Sequence, residues 1–405
     1  MHYGFSFRLD FNTKICYNQV NIKTKERAKI MNFNINIPVK IISGQNCLKD
    51  NSSALIIGTR AIIVCGAHGA AASGALDDVC GILTQNNVDY LIFDKITENP
   101  PLATCYDGGQ SAASFGADFV IGIGGGSSLD AAKAIAAFAA NPSIDPMDIF
   151  DATKLTNVTL PLALIPTTAG TGSEANPYSI ITLPDGTRKK TFNHPASWAK
   201  VAFLDPNYTM SLPHRNTISC ALDAFAHGLE SYLSPKSTDI SAMFAMYAMR
   251  GIWDVLTSYP ENFSYEMRET LLYASCAAGI AISITGTGFP HPLGYSLTLL
   301  DGIPHGAACA VFDGDYIEYN ERTEIGKAKM QEIYTALGTT PRIMKEYLPA
   351  LAEVELTMTA EQIEEHIALV EGAKNYANSP YIITREEMTD IYNKHFAKSA
   401  RKARK

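Results

Sequence analysis

The stretch "DAFAHGLESY", Asp223 to Tyr232, sets a carboxylate and an imidazole four residues apart. On a helix, residues at i and i+4 stand one above the other on the same face. An acid and a histidine placed so either pair with each other at the surface or point together at one metal ion. Further along, "TGFPHPLGYSLTLLDGIPHG" (287–306) puts His291 and His305 each behind a proline, in glycine-rich chain. Asp223, His227, His291 and His305 are then four candidate ligands, one carboxylate and three imidazoles. A nitrogen-and-oxygen set without thiolate suits Fe2+, Zn2+ or another divalent first-row ion.

Two loops of small residues carry a different chemistry. "VIGIGGGSSLDAAK" (120–133) joins a buried strand directly to a helix. Gly124, Gly125 and Gly126 let the backbone come close to a ligand. Ser127 and Ser128 open a helix whose unpaired N–H groups and partial positive charge suit a pyrophosphate. Asp130 falls in the first helical turn, where an acid also offsets the helix dipole. "IPTTAGTGSEAN" (165–176) follows another strand, and its Thr167, Thr168 and Thr171 can donate hydrogen bonds to a ribose or carboxamide. Asn176 at its end and Lys189 beyond it complete the expected cofactor-contacting set. Two such loops at the carboxyl ends of parallel strands mark the ligand crevice of an open α/β sheet and favour a nucleotide.

The elements that position these residues change character along the chain. In the first half, apolar runs such as "RAIIVCG" (60–66), "DYLIFD" (89–94), "DFVIGIGGG" (118–126) and "LPLALIPTT" (160–168) alternate with helical stretches such as "GALDDVCGILTQNN" (74–87). That is the pattern of a parallel sheet covered on both faces. From about Ile218 onward, helical periods dominate, as in "DISAMFAMYAMRGIWDVL" (239–256). The fold expected is an α/β nucleotide-binding domain with a parallel sheet (31–212), followed by an all-α metal-binding domain (213–405). Residues 1–30 have no clear period and read as a loosely ordered extension. Met31 opens "MNFNINIPVKIISG", whose alternation predicts the first strand.

The chain has 405 residues, of which 46% are hydrophobic, enough for a large core. With 41 acidic against 33 basic residues, it lacks the concentrated basic surface that nucleic acid requires. No apolar run reaches the roughly 18 residues of a membrane span. The eight cysteines are scattered without a C-x-x-C pair, as in buried thiols of a reducing cytoplasm.

In combination, "GIGGGSSLDAAKAIA", "IPTTAGTGSE", "DAFAHGLESYLS" and the "PHG" at 304–306 resemble the signature segments of the iron-containing, or group III, alcohol dehydrogenases. The resemblance runs from about Met31 to Phe396. It implies a metal-dependent, NAD(P)-linked alcohol dehydrogenase or aldehyde reductase acting on a small alcohol or aldehyde, and a homodimer. Asp223, His227, His291 and His305 fall on the family's four ligand positions. Many members carry one more histidine four residues after the third ligand, where this chain has Tyr295. Tyr295 is thus expected in a proton-relay or ligand-supporting role, and Phe289, Leu293 and Tyr295 as walls of the substrate pocket. An alternative alignment makes Thr287 the third ligand, at the cost of a four-residue insertion. Where NAD-preferring members place an Asp after the first strand, this chain has Gly66. Losing that carboxylate removes repulsion against a 2′-phosphate and favours NADP over NAD, with His68 the only nearby cation in the loop. Competing readings are a glycerol-dehydrogenase-like polyol oxidoreductase, a dehydroquinate-synthase-like lyase and a non-catalytic nucleotide-sensing protein.

Overall fold

The computed structural model describes residues 33–156, 159–258 and 261–397, so the expected extension over residues 1–30 lies outside the described residues. Eight strands follow in chain order: β1 (Lys40–Ser43), β2 (Arg60–Cys65), β3 (Asp89–Phe93), β4 (Phe119–Gly124), β5 (Leu162–Pro166), β6 (Tyr178–Thr182), β7 (Lys189–Asn193) and β8 (Val201–Leu204). Six of them form one sheet in the order β1-β8-β5-β4-β2-β3, and every pairing in it is parallel.

Apolar residues run unbroken through β2, β4 and β5 because both faces of the sheet are covered. Ile63, Ile121, Ile165 and Phe203 pack into one apolar cluster. Their neighbours Ile62, Val120, Leu164 and Leu204 belong to the other. That second cluster continues into Leu222, Phe225 and Leu229. Sheet and helices therefore share one core at the place where the sequence predicts a change of domain.

The connectivity locates the ligand crevice. Strand β2 lies between β3 and β4, so the chain leaves β2 toward one side of the sheet and returns on the other. A crevice opens at such a reversal, beyond the carboxyl ends of the strands. Gly66 follows β2 and Gly124–Gly126 close β4, so the two glycine turns flank it.

The first strand starts later than its alternation predicts. Residues 33–39 are irregular, and only Lys40–Ser43 pair with β8. Pro38 offers no N–H to a ladder, which ends the pairing there. An antiparallel hairpin of β6 and β7 is absent from the sequence reading. Its signal is the turn Pro184-Asp185-Gly186, where Gly186 takes a φ of 73°.

From His214 onward the described chain contains no strand. The helices that matter for the site are His214–Leu233, Asp239–Thr257, Tyr265–Thr285, Pro290–Leu300 and His305–Ala310. At one point the sheet's loops touch this layer through bare backbone. A Cβ on Gly279, in the helix Tyr265–Thr285, would lie 2.3 Å from the carbonyl oxygen of Gly172 in the threonine loop. Among the described residues, no single helix is long and apolar enough to cross a membrane.

Candidate metal centre and cofactor cleft

The helix His214–Leu233 carries Asp223 and His227 one turn apart on a buried face, as their spacing requires. His291 lies in the first turn of the helix Pro290–Leu300, and His305 opens the helix His305–Ala310. Three imidazoles converge on one oxygen. Asp223 Oδ1 is 3.8 Å from His227 Nε2, 3.5 Å from His291 Nε2 and 3.7 Å from His305 Nε2. Asp223 Oδ1 and His291 Nε2 are buried without a hydrogen-bond partner. Buried polar atoms are rarely left so, and here they face the space that an ion would fill. The donor set and the orphaned atoms fit a divalent cation.

The electrostatics agree. Burial pushes the His227 imidazole down to about 4 and His305 down to about 3, so both are neutral and can offer a lone pair at pH 7. Burial would raise Asp223, but the surrounding His227, His305 and His291 outweigh it and hold the carboxyl far below its usual range. His291 behaves differently. Burial lowers it, yet the Glu230 carboxylate bonded to Nδ1 and the nearby Asp223 charge carry it up to about 10. An ion held at Nε2 would take the place of that proton.

Glu230 is absent from the sequence reading. It lies on the same helix face, seven residues after Asp223, and is fully buried. His291 Nδ1 is 2.7 Å from Glu230 Oε1, and the Gly288 N–H donates to Oε2. This carboxylate fixes the ring's tautomer and leaves Nε2 turned toward Asp223. Cys309 is the second omission. Asp223, His291, His305 and Cys309 offer ligand atoms that all lie within 4.8 Å of one another, and His227 reaches the same carboxylate from beside this group. Thr287, the alternative third ligand, is engaged elsewhere, its Oγ1 accepting from Asn375 Nδ2 at 2.7 Å.

Side-chain exposure shows where the cage opens. His305 is 27% exposed, against 7% for His227, 5% for Asp223 and 2% for His291. On that open side the Tyr295 ring stacks on His305 at 5.4 Å, and Lys189 Nζ stands 5.0 Å from the Tyr295 ring centre. Lys189 is pushed down to about 8, chiefly by burial. Phe289 and Leu293, expected as pocket walls, are instead fully buried in the core, with Phe289 edge-on to Tyr316 at 4.9 Å. Only Tyr295 of that trio is positioned to line the opening.

The two small-residue loops meet face to face. The Thr167 N–H donates to the Gly124 carbonyl at 2.9 Å. A Cβ on Gly126 would lie 2.4 Å from Thr171 Cγ2, and one on Gly125 would lie 3.2 Å from Thr168 Oγ1. Ser127 Oγ accepts from the Asn99 N–H at 3.2 Å, and the helix Gly126–Ala140 begins directly behind. Two expected cofactor contacts are placed differently. Asp130 accepts from Ser173 Oγ at 2.5 Å and from the Ile180 N–H at 2.8 Å. Asn176 donates to the Gly172 carbonyl and accepts from the Tyr178 N–H. Both are buried braces of the threonine loop, with their polar atoms already committed to protein. Lys133 joins them, its Nζ donating to the Ser173 and Tyr178 carbonyls at 2.7 and 2.6 Å.

Behind the ligand helix, Ser296, His366 and Asp301 form a row. Ser296 Oγ is 2.9 Å from His366 Nδ1, and His366 Nε2 is 3.3 Å from Asp301 Oδ2. Ser296 is completely buried and shares a 2.7 Å contact with the Tyr392 hydroxyl. The row is a brace that ties Pro290–Leu300 to the helices Ala360–Val370 and Arg385–Phe396, not an accessible nucleophile.

A nucleotide-type crevice in a parallel sheet and a buried carboxylate–histidine cage beside it define a class, that of metal-dependent enzymes working with a dinucleotide. Residues 38–206 match the family "Iron-containing alcohol dehydrogenase", and residues 217–396 match "Fe-containing alcohol dehydrogenase family, C-terminal". The chain belongs to the iron-containing alcohol dehydrogenases, and its activity class is NAD(P)-linked alcohol dehydrogenase. It is 31% identical to a sulfoacetaldehyde reductase of Bilophila wadsworthia over 280 residues, 67% of this chain and 72% of that protein. It is 28% identical to an NADPH-dependent butanol dehydrogenase of Clostridium saccharobutylicum over 312 residues, 75% of this chain and 78% of that one. The crystal structure of an iron-containing alcohol dehydrogenase from Thermotoga maritima superposes with a TM-score of 0.83 at 33% identity, covering 89% of this chain and 98% of that one.

Proposed function

We propose that Asp223, His227, His291 and His305 hold a divalent ion, Fe2+ or Zn2+, and that the enzyme interconverts a small alcohol and its aldehyde with NADP(H) preferred over NAD(H). The observation that carries this reading is the meeting of three imidazole nitrogens at one unpartnered oxygen of Asp223. When bound, the ion supplies Lewis acidity toward a substrate oxygen, and the nicotinamide supplies or accepts the hydride.

The rest is work for side chains of this chain. Glu230 orients His291 and balances the charge of the cage. His305, Tyr295 and Lys189 line the open side, where the substrate enters. Gly124–Gly126 and the start of their helix receive the pyrophosphate, and Thr167, Thr168 and Thr171 face it from the neighbouring loop. Lys189 adds positive charge where an anionic cofactor lies against the cage. The NADP preference is supported by Gly66, which puts no carboxylate beside a 2′-phosphate. Relatives divide on this point, with an NADPH-dependent butanol dehydrogenase and a probable NADH-dependent one both similar to this chain. A cytoplasmic homodimer completes the proposal, and the seven free thiols among the described residues support a reducing compartment.

The test is metal analysis of the purified protein, joined to oxidation of NADPH and NADH with a series of short aldehydes under anaerobic conditions. Stoichiometric metal and aldehyde-dependent NADPH oxidation are expected. A protein that binds the dinucleotide but shows no aldehyde-dependent turnover with any divalent ion refutes the reading.

A further inference from the structure

We propose that Cys309 is a further donor to the ion surrounded by Asp223, His227, His291 and His305, so that this cage accepts thiophilic divalent ions, Zn2+ or Cd2+, through a metal–sulfur bond. The inference rests on the reading of those four residues as ligands.

Cys309 follows His305 by four residues on the helix His305–Ala310, so the two side chains share a face. Its sulfur lies beside the His305 ring, 3.8 Å from both nitrogens, so it reaches an ion at Nε2 by turning about its Cα–Cβ bond. It belongs to the group of ligand atoms that lie within 4.8 Å of one another, together with Asp223, His291 and His305. Two further observations point to the same place. Asp223 Oδ1 and His291 Nε2, both buried, lack a hydrogen-bond partner, and their residues belong to the same group of donors. On the facing helix, a Cβ at Gly294 would lie 2.9 Å from Cys309 Sγ, so the glycine leaves the room that the sulfur occupies.

Sulfur changes what the cage prefers. Nitrogen and carboxylate oxygen alone discriminate weakly among divalent first-row ions, whereas a thiolate favours soft ions such as Zn2+. On coordination the S–H bond breaks, the metal–sulfur bond forms and the proton passes to solvent. The other thiol nearby, Cys220, lies on the Asp223 helix beside Gly170 and is not one of the grouped donors.

To test this, the full-length protein is stripped of metal and reloaded with Co2+, and the near-ultraviolet sulfur-to-cobalt charge-transfer band is recorded. The band is expected in the wild type and in Cys220→Ser, and is expected to be lost in Cys309→Ser and Cys309→Ala while Co2+ stays bound. X-ray absorption of the zinc-loaded wild type reads the same bond without a variant, as a sulfur shell at about 2.3 Å beside nitrogen and oxygen at about 2.0–2.2 Å. One Co2+ bound per chain with no such band, a band that survives Cys309→Ser, or a zinc site of nitrogen and oxygen alone overturns the sulfur donor and leaves the four-residue cage intact. A wild type that binds no Co2+ overturns the cage and the sulfur with it.

Discussion

His291 is held between two carboxylates, with Nδ1 at 2.7 Å from Glu230 and Nε2 at 3.5 Å from Asp223. The first carboxylate aims the ring at the second. Glu230→Gln keeps the shape and removes the charge. Metal affinity is expected to fall by about 10–100-fold, the usual cost of losing an outer carboxylate partner. Competition of the variant against a calibrated chelator measures this, and an unchanged affinity means that Glu230 only fills space.

The third ligand position is tested by a pair of variants. His291→Ala should lose metal beyond the roughly 100-fold effect of an outer-partner change, while Thr287→Val, which removes only the Asn375 contact, should keep it. Circular dichroism shows whether both fold, and metal analysis separates them. Full occupancy in His291→Ala with loss in Thr287→Val transfers the ligand role to Thr287.

Cofactor choice is tested at Gly66. Gly66→Asp sets a negative charge beside the 2′-phosphate position and should reduce the NADPH-to-NADH ratio of kcat/KM by at least about fivefold, an effect of about 1 kcal/mol. A Cβ there also approaches the Ile96 carbonyl oxygen to 3.0 Å, so Gly66→Ala serves as the steric control. A shift of equal size in Gly66→Ala removes charge as the cause. A wild type with the better kcat/KM for NADH rejects the proposed preference.

Stability should depend on pH through His366. Burial lowers this imidazole from its ordinary value of 6.5 to about 4. The unfolded chain therefore binds a proton in that window that the folded protein refuses. Stability from this site is complete above 6.5 and is lost as pH falls toward 4, by on the order of 3 kcal/mol. Urea midpoints recorded across that range should fall in the wild type and fall less steeply in His366→Gln, where the buried His227 and His305 still titrate. Parallel curves for the two proteins exclude His366 as the source.

Sequence alone reached the sheet because its strands are buried on both faces and so read as unbroken apolar runs. It reached Asp223 and His227 because one helical turn joins them. Glu230 and Cys309 obey the same rule, three residues after His227 and four after His305, yet both pass for ordinary helix residues until the helices are packed together. Asp130 and Asn176 were legible as polar groups near a ligand loop, but not as its braces, since their partners Ile180 and Tyr178 come from a hairpin reached only by tertiary contact. The start of β1 depended on which residues find a partner in β8, and alternation cannot report a partner.

The contact between Gly172 and Gly279 bears on how this enzyme can change. Where backbone meets backbone with no side chain between, the spacing of loop and helix cannot be widened or narrowed by small steps, because any Cβ at Gly279 collides with the Gly172 carbonyl. The separation of the threonine loop from the helix Tyr265–Thr285 is thereby a fixed dimension of the chain. Residues on the open rim, such as Tyr295, carry no such restriction. Side chains on the rim can vary one at a time, while the spacing of that loop and helix stays inherited.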